Sequence, residues 1–507
     1  MKYLLSAAQM KAADGRMIHE IGIPSLVLME RAALRCVEAM KEEKVDLKKV
    51  LVVCGSGNNG GDGFAIARLI HEEGHEVDAV FVGRMESRSE ETVRQMEICK
   101  NLGITIGNSL PEQEYSVIID AVFGIGLCRK IEGRYLEVIE QMNRYRGYKV
   151  AVDTPSGISS DTGEILGCAF KADLTVTFAY AKAGQVFYPG YEYAGKVVVK
   201  EIGITDPSFA QRNDVFFALE KEDVLKRMPK RRPDSNKGSY GKILLIAGSR
   251  GMAGAAYLSA KAAYMTGAGL VRIYTEESNR QILQQLLPEA VITAYDEMSP
   301  ECFHALPELL NWADVICIGC GLGKSKCSAR LLHMTLEQNL KPCVIDADGL
   351  NLLAELPKEE QRKLLQNNGQ YVLTPHMMEM SRLTGYTVSE LKKDRTVLIR
   401  KFTTEMPVVC AMKDSRTLVA KKEHPVFVNT SGNAAMAKAG AGDVLAGTIT
   451  GLLAQNMEAY DAAVLGVYLH GLAGDEARKE CGAYSVLAED IITGLGRTIK
   501  TLEESLK

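Results

Sequence analysis

Along the first two hundred residues, short apolar runs rich in β-branched side chains recur at Val50 to Val53, Val77 to Val82, Val117 to Ile119, Val150 to Val152, Leu174 to Phe178 and Val197 to Val199. Longer stretches with apolar residues at helical intervals separate them. Strands that lack a polar face need cover on both sides, so the alternation predicts a mostly parallel sheet between layers of helices. After Lys200 the pattern weakens into the charged, Pro- and Gly-marked segment "EKEDVLKRMPKRRPDSNKGSYG", which predicts a domain boundary near residues 205 to 235. A second series opens with "KILLIAG" at Lys242 to Gly248. It continues through Leu270 to Tyr274, Val315 to Gly319, Val344 to Asp346, Tyr371 to Leu373, Val408 to Met412 and Leu418 to Ala420. Two α/β domains follow, over residues 1–215 and 225–507. Near the start, "SAAQ" reads as a capping box that opens a helix at Ser6.

Composition supports two folded units, because 507 residues exceed what one hydrophobic core usually serves. A content of 46% hydrophobic and 24% charged residues is that of a soluble enzyme. The net charge of −4 offers polyanions no general attraction, which argues against nucleic acid as a partner. The one basic cluster, Lys226 to Pro233, lies between prolines and reads as a solvated linker. No stretch has the length of a membrane span, and the N-terminal apolar run is too short for a signal peptide. The twelve cysteines lack framework spacing and suit reduced thiols, hence a cytoplasmic location. "CIGC" at Cys317 to Cys320 has redox spacing but sits in an apolar run, and reads as a strand end.

In an open parallel sheet, ligands collect where strands end. Three ends of the first series carry chemistry: "GSGNNGGDG" from Gly55, Asp120 with "FGIGLCRK" from Phe123, and Asp153 with "TPSG". "GSGNNG" fits the GxGxxG dinucleotide fingerprint, yet two asparagines occupy the loop and Asp62 enters the helix. Amides and carboxylates suit a polar ligand and a hard cation better than a bare pyrophosphate. Taken singly, Asp120 and Asp153 read more readily as turn or helix caps than as site residues, and their co-occurrence with "NNGGDG" shifts that reading toward a site.

With "GNNGGDG", "DAVFGIGL" and "VDTPSG" in this order, roughly residues 1 to 210 resemble the N-terminal epimerase domain of the bifunctional NAD(P)H-hydrate repair enzymes. The resemblance implies a Rossmann-like three-layer α/β/α sandwich. It also implies that Asn58, Asn59, Gly60, Gly61, Asp62, Gly124, Ile125, Gly126, Leu127, Cys128, Arg129, Lys130 and Asp153 contact the hydrated nicotinamide nucleotide. Potassium would be held by Asn59, Asp120 and Ser156. The family commonly has Thr where Ile125 stands. In such a hydrate the ring nitrogen can expel the hydroxyl on carbon 6, giving a planar cation that water re-enters from either face. Asp153 is expected to protonate the departing hydroxyl and then steady the cation.

The second series carries "NTSGNAAMAKAGAGDVLAGTITGLLA" at Asn429 to Ala454. "AGAG" lets a phosphate approach the backbone, the next helix aims its first amides at that anion, and Asp443 stands beside it. This is a phosphoryl-transfer arrangement, and it resembles the ribokinase-like superfamily. "KGSYGKILLIAGSRGMAGAA", "GAGLVR", "GCGLG", "DADGLN", "LTPHMMEMSRL" and "MKDSRTLVA" narrow the resemblance to the ADP-dependent NAD(P)H-hydrate dehydratases, over roughly residues 225 to 500. By that resemblance Lys413, Asp414, Ser415, Arg416, Thr417 and Gly442 contact ADP, carried with magnesium. Ala253, Gly323, His376 and Asp443 contact the hydrate, and Asp443 is the catalytic group.

Phosphate leaves more easily than hydroxide. A nucleotide-dependent dehydration can therefore phosphorylate the carbon 6 hydroxyl, then lose phosphate and the carbon 5 proton, with Asp443 orienting or deprotonating the hydroxyl. "DADGLN" offers Asp346 and Asp348 either to magnesium-bound water or to sheet-end capping. A homo-oligomer without membrane partners is expected. The alternative reading is a ribokinase-like small-molecule or vitamin kinase with an accessory nucleotide-binding domain, which would release a stable phosphorylated product.

Overall fold

A computed structural model describes residues 1–299, 302–366 and 370–505. The chain divides into two compact units, residues 2–216 and residues 217–507 with Met1.

The N-terminal unit is built on seven parallel strands. Their order is Ile106–Gly107, Glu76–Phe81, Lys49–Cys54, Val117–Ala121, Tyr148–Val152, Leu174–Phe178 and Lys196–Lys200. Alternate residues serve opposite faces, as the pleat requires. Val50, Val52 and Cys54 join Ile119 and Val152 in one core under the helices Ser25–Glu42 and Asn58–Glu72. Leu51, Val53 and Ile118 join a second core with Val138, Ile139 and Met142 of the helix Arg134–Arg144. The result is the three-layer α/β/α sandwich that the apolar runs predict. The direction of winding reverses between Lys49–Cys54 and Val117–Ala121, so a crevice opens beyond their carboxyl ends.

One pairing was not visible in the pattern. Lys2–Leu5 runs parallel to Ala181–Lys182, with Leu5 opposite Lys182. The helix Ala7–Gly15 follows directly, capped by the Ser6 box, and is thereby delivered to the strand ends.

In the C-terminal unit the strands run in the order Val291–Tyr295, Leu270–Glu276, Lys242–Ile246, Val315–Ile318, Cys343–Ile345, Tyr371–Leu373, Val409–Met412, Leu418–Ala420 and Val426–Val428. The first seven pair in parallel, and each of the last two pairs antiparallel with the strand before it. Val291–Tyr295 and Val426–Val428 are additions to the predicted series. The expected boundary segment is not bare linker either, since it holds the strand Phe216–Ala218 and the helix Lys221–Arg227. Charged neighbours hide both from a hydrophobicity pattern. Among the described residues no helix is long and apolar enough to cross a membrane, and the twelve cysteines are free thiols.

The helices Ala253–Thr266 and Ala441–Leu453 touch backbone to backbone. A Cβ on Gly447 would lie 2.1 Å from the Ser259 carbonyl oxygen, which explains the small residues of "AGTITG". Gly447→Ala should therefore destabilise the C-terminal unit by about 2 kcal/mol, as an overpacking substitution does. Chemical denaturation of the full chain checks this, and an unchanged midpoint would show that the two helices can part at no cost.

Candidate active sites

The crevice of the N-terminal unit begins where Lys49–Cys54 ends. Gly55 and Gly60 are required by close backbone approach: a Cβ on Gly55 would lie 2.0 Å from the Val122 carbonyl oxygen, and one on Gly60 1.9 Å from that of Gly55. The helix consequently starts at Asn58, capped by Gly57, so the asparagines stand in a helical turn and not in a free loop. A cavity of about 560 Å³ opens here, lined by Asn58, Asn59, Asp62, the segment 122–129 and Asp153. Gly60, Gly61 and Lys130, expected at the ligand, are outside its wall. Gly60 and Gly61 are packed against Gly55 and Met29, and Lys130 is exposed.

Asp120 is wholly buried. Its Oδ2 accepts from the Ser156 amide at 2.7 Å, and its Oδ1 from Ser156 Oγ at 2.6 Å and the Val122 amide at 3.2 Å. Burial pushes its carboxyl up to about 6 despite these bonds. Asn59 packs its side chain against Gly124, and its buried Nδ2 has no hydrogen-bond partner among the described residues. A buried acid with no cationic side chain acting on it leaves a negative charge that a bound cation would balance.

Asp153 has φ +65°, a left-handed conformation uncommon for a residue with a Cβ. Its carboxylate is pinned from several sides. Lys182 Nζ donates to Oδ1 at 2.5 Å, Thr177 Oγ1 at 3.0 Å and the Phe178 amide at 3.4 Å, while Gln185 Nε2 holds the Asp153 carbonyl at 2.6 Å. Lys182 is 0% exposed. Three other acids border the same cavity, Asp14, Asp62 and Glu91. Burial, then the charge of Asp153, push Asp14 up to about 6, with Lys182 pulling the other way. Burial, then the charges of Asp153 and Asp14, push Asp62 well above its ordinary value. Sequence reading missed Asp14 and Lys182. A lysine in the mostly apolar "FAYAKAG" was the one available signal.

In the C-terminal unit the strand Cys343–Ile345 ends on Asp346, and Ala347 follows at φ +50°. That turn sends the two acids of "DADGLN" to different partners. Asp346, 1% exposed, accepts from Lys413 Nζ at 2.7 Å, whereas Asp348 Oδ2 accepts from the Gly323 amide at 2.9 Å. Gly440, at φ +89°, caps the helix Ala441–Leu453, and Asp443 stands in its first turn. The first-turn amides of Gly442 and Asp443 have no intrahelical acceptor. A Cβ on Gly442 would lie 3.3 Å from Lys413 Nζ, so the helix start, Lys413 and Asp346 form one corner. Burial and the Asp346 charge push Asp443 up to about 6, while a hydrogen bond with Cys320 and the Lys413 charge hold it back. Cys320, Asp346 and Asp443 bring their ligand atoms within 4.8 Å of one another. The pair read as a strand end thus has one member in the corner.

Of the other expected contacts, Ala253 opens the helix Ala253–Thr266. Lys413 meets His376 through a backbone bridge, and its amide donates to the Pro375 carbonyl at 2.7 Å. His376 caps the helix Met377–Thr384, its Nδ1 accepting from the amides of Met378 and Glu379 at 3.1 and 3.2 Å. Its other ring nitrogen faces Glu379 at 3.3 Å. Asp414 pairs with Arg395 at 3.4 Å, Ser415 is exposed, and Arg416 and Thr417 are buried. An all-protein magnesium cage is not built here, because Asp346 is taken by Lys413 and Cys320 is a soft donor. The corner fits magnesium carried on nucleotide phosphates.

Two sequence profiles match the chain: one described as NAD(P)H-hydrate dehydratase over residues 243–497, the other as YjeF-related protein N-terminus over residues 25–184. A bifunctional NAD(P)H-hydrate repair enzyme of Moorella thermoacetica is 36% identical, covering 100% of this chain and 98% of its own. One of Coxiella burnetii is also 36% identical, covering 95% and 96%. Among solved structures, a hypothetical protein of Streptococcus mutans aligns with 56% of this chain and 99% of its own at 27% identity and a TM-score of 0.50.

The buried pair at Asp153 yields a direct prediction. Lys182→Met removes one partner and leaves the other uncompensated, which should lower the stability of the N-terminal unit by about 3 kcal/mol. Hydrogen exchange in the strand Leu174–Phe178, measured in the full chain, should accelerate accordingly. Exchange at the original rate would mean that the pair does not hold this corner.

Proposed function

Because the chain belongs to the bifunctional NAD(P)H-hydrate repair enzymes, we propose that it returns hydrated NADH and NADPH to the reduced coenzymes, with one activity in each unit. The N-terminal unit interconverts the R and S hydrates. The C-terminal unit dehydrates the S form at the expense of ADP, releasing AMP and phosphate. The observation that carries the reading is the C-terminal corner: an open acid, Asp443, in a first helical turn with free amides, beside the Lys413–Asp346 pair.

At that corner the amides of Gly442 and Asp443 would hold the terminal phosphate of ADP, and Lys413 would balance its charge. Asp443 accepts the proton of the carbon 6 hydroxyl as that oxygen takes the phosphoryl group. Loss of phosphate and of the carbon 5 proton then restores the ring. Magnesium on the nucleotide would draw charge from the phosphates during transfer. Lys413 to Thr417 and Gly442 are assigned to the nucleotide, and Ala253, Gly323, His376 and Asp443 to the hydrate. His376 acts there as the cap of its helix, its outer ring nitrogen paired with Glu379.

In the N-terminal crevice Asn58, Asn59, Asp62, the loop 124–129 and Asp153 are assigned to the hydrate, with Asp153 facing the ring cation. Asn59, Asp120 and Ser156 would hold potassium, whose charge would keep Asp120 ionised and the Ser156 turn in place. The free thiols suit a reducing cytoplasm.

Incubation with mixed hydrate epimers and ADP should restore the absorbance of the reduced nicotinamide. Asp443→Asn should slow dehydration by about a thousandfold and leave epimerisation unchanged, whereas loss of both activities in a folded chain would contradict separate sites. Because Asp443 must be ionised to accept a proton and its carboxyl is pushed up to about 6, dehydration should fall as the pH drops below about 6. A rate that stays level down to pH 5 would remove Asp443 from the base role.

A further inference from the structure

The N-terminal crevice holds more acid than its assigned chemistry uses. Asp14, Asp62 and Asp153 border one cavity, and their surroundings differ in kind. Asp153 receives an ammonium, a hydroxyl and an amide. Asp14 and Asp62 receive no hydrogen bond from any described residue, and Asp14 shares the cavity wall with Met10, Ile18, Leu28 and Met29. A pinned, ion-paired carboxylate is a poor proton carrier, because giving or taking a proton would break the pair. A carboxyl free of donors, among apolar side chains and beside a fixed negative charge, is a good one.

Resting on the epimerase reading above, we propose that Asp14 delivers the proton to the hydroxyl leaving ring carbon 6, while Asp153, locked by Lys182, remains the anion that faces the ring cation. Its placement follows from the fold. Leu5 pairs with Lys182, and the helix that starts two residues later carries Asp14 to where the charges of Asp153 and Lys182 both act on it. Lys182 is thus a positioning residue and Asp14 a catalytic one.

The step balances within the site. The bond from carbon 6 to oxygen breaks, its electron pair leaves with the oxygen, and the proton of Asp14 completes a water molecule. The ring nitrogen lone pair fills the carbon it vacates. In the return direction water adds to either face, and the proton it loses passes back to Asp14. Asp62, whose carboxyl is pushed up by burial and then by the charges of Asp153 and Asp14, borders the same cavity.

The charged groups bordering the cavity are Lys11 on the same helix, Asp62 and Glu91 on neighbouring helices, Arg129 in the loop, and Asp153 with Lys182. Any pH profile is read against them by substitution. The test uses the full chain without ADP, so that the C-terminal unit is silent, and follows R-to-S interconversion by separating the epimers. Wild-type turnover should decline as the pH rises past about 6, because an acid catalyst must be protonated. Asp14→Asn should lower kcat by about a hundredfold or more with KM within about threefold, and should abolish that decline. Asp14→Glu should regain at least about a tenth of the wild-type rate. Wild-type turnover by Asp14→Asn, an inactive Asp14→Glu, or disappearance of the high-pH decline in Asp153→Asn instead would overturn the assignment. Failure of the unaltered chain to interconvert the epimers would sink the epimerase reading itself, a different result from any of these.

Discussion

A lysine ammonium driven against an aspartate at the end of a parallel strand is the constraint on which both corners depend. Lys182 holds Asp153 at 2.5 Å and Lys413 holds Asp346 at 2.7 Å. Each pair lies at a left-handed turn of a residue other than glycine, Asp153 itself at φ +65° and Ala347 at φ +50°. Such conformations persist only where surrounding structure over-determines them, and the ion pairs supply part of that. Each fixed negative charge then acts on a second acid nearby. Asp14 and Asp443 are both pushed up to about 6, first by burial and next by the paired aspartate. In both units a lysine-paired aspartate thus stands near a second acid whose carboxyl is pushed up to about 6.

That division lets one chain run opposite proton demands. Epimerisation needs a proton given to a departing hydroxyl. Dehydration needs a proton taken from the same hydroxyl as it becomes a phosphate ester. An acid titrating near neutrality serves either purpose, depending on whether the neighbouring machinery supplies a leaving group or a phosphoryl donor. Spontaneous hydration yields both epimers and a stereospecific dehydratase accepts one, so joining the activities in one chain makes chemical sense.

Most of the fold was legible because buried parallel strands write themselves as uninterrupted apolar runs. Leu174–Phe178, Tyr371–Leu373 and Leu418–Ala420 appear with the same bounds in sequence and structure. The missed strands are short or flanked by charge, as at Phe216–Ala218. The glycine-rich blocks, the strand-end acids and the Asp443 turn were legible as motifs, because close backbone approach and strand ends restrict residue choice locally. Asp14 and Lys182 were not, since 168 positions separate them and only the pairing of Leu5 with Lys182 brings them together. Cys320 was hidden differently: its spacing to Cys317 invited a reading about redox or metals, while its place beside Asp443 depends on the path of a distant helix.

The most direct test of this division of acids is carboxyl carbon-13 NMR of the protein labelled at aspartate, titrated from pH 4 to pH 8. The account predicts that the two resonances removed by Asp14→Asn and Asp443→Asn titrate with midpoints near 6. If both had finished titrating below pH 5, neither acid would feel a fixed neighbouring charge in a dry site, and the shared logic of the two corners would be wrong.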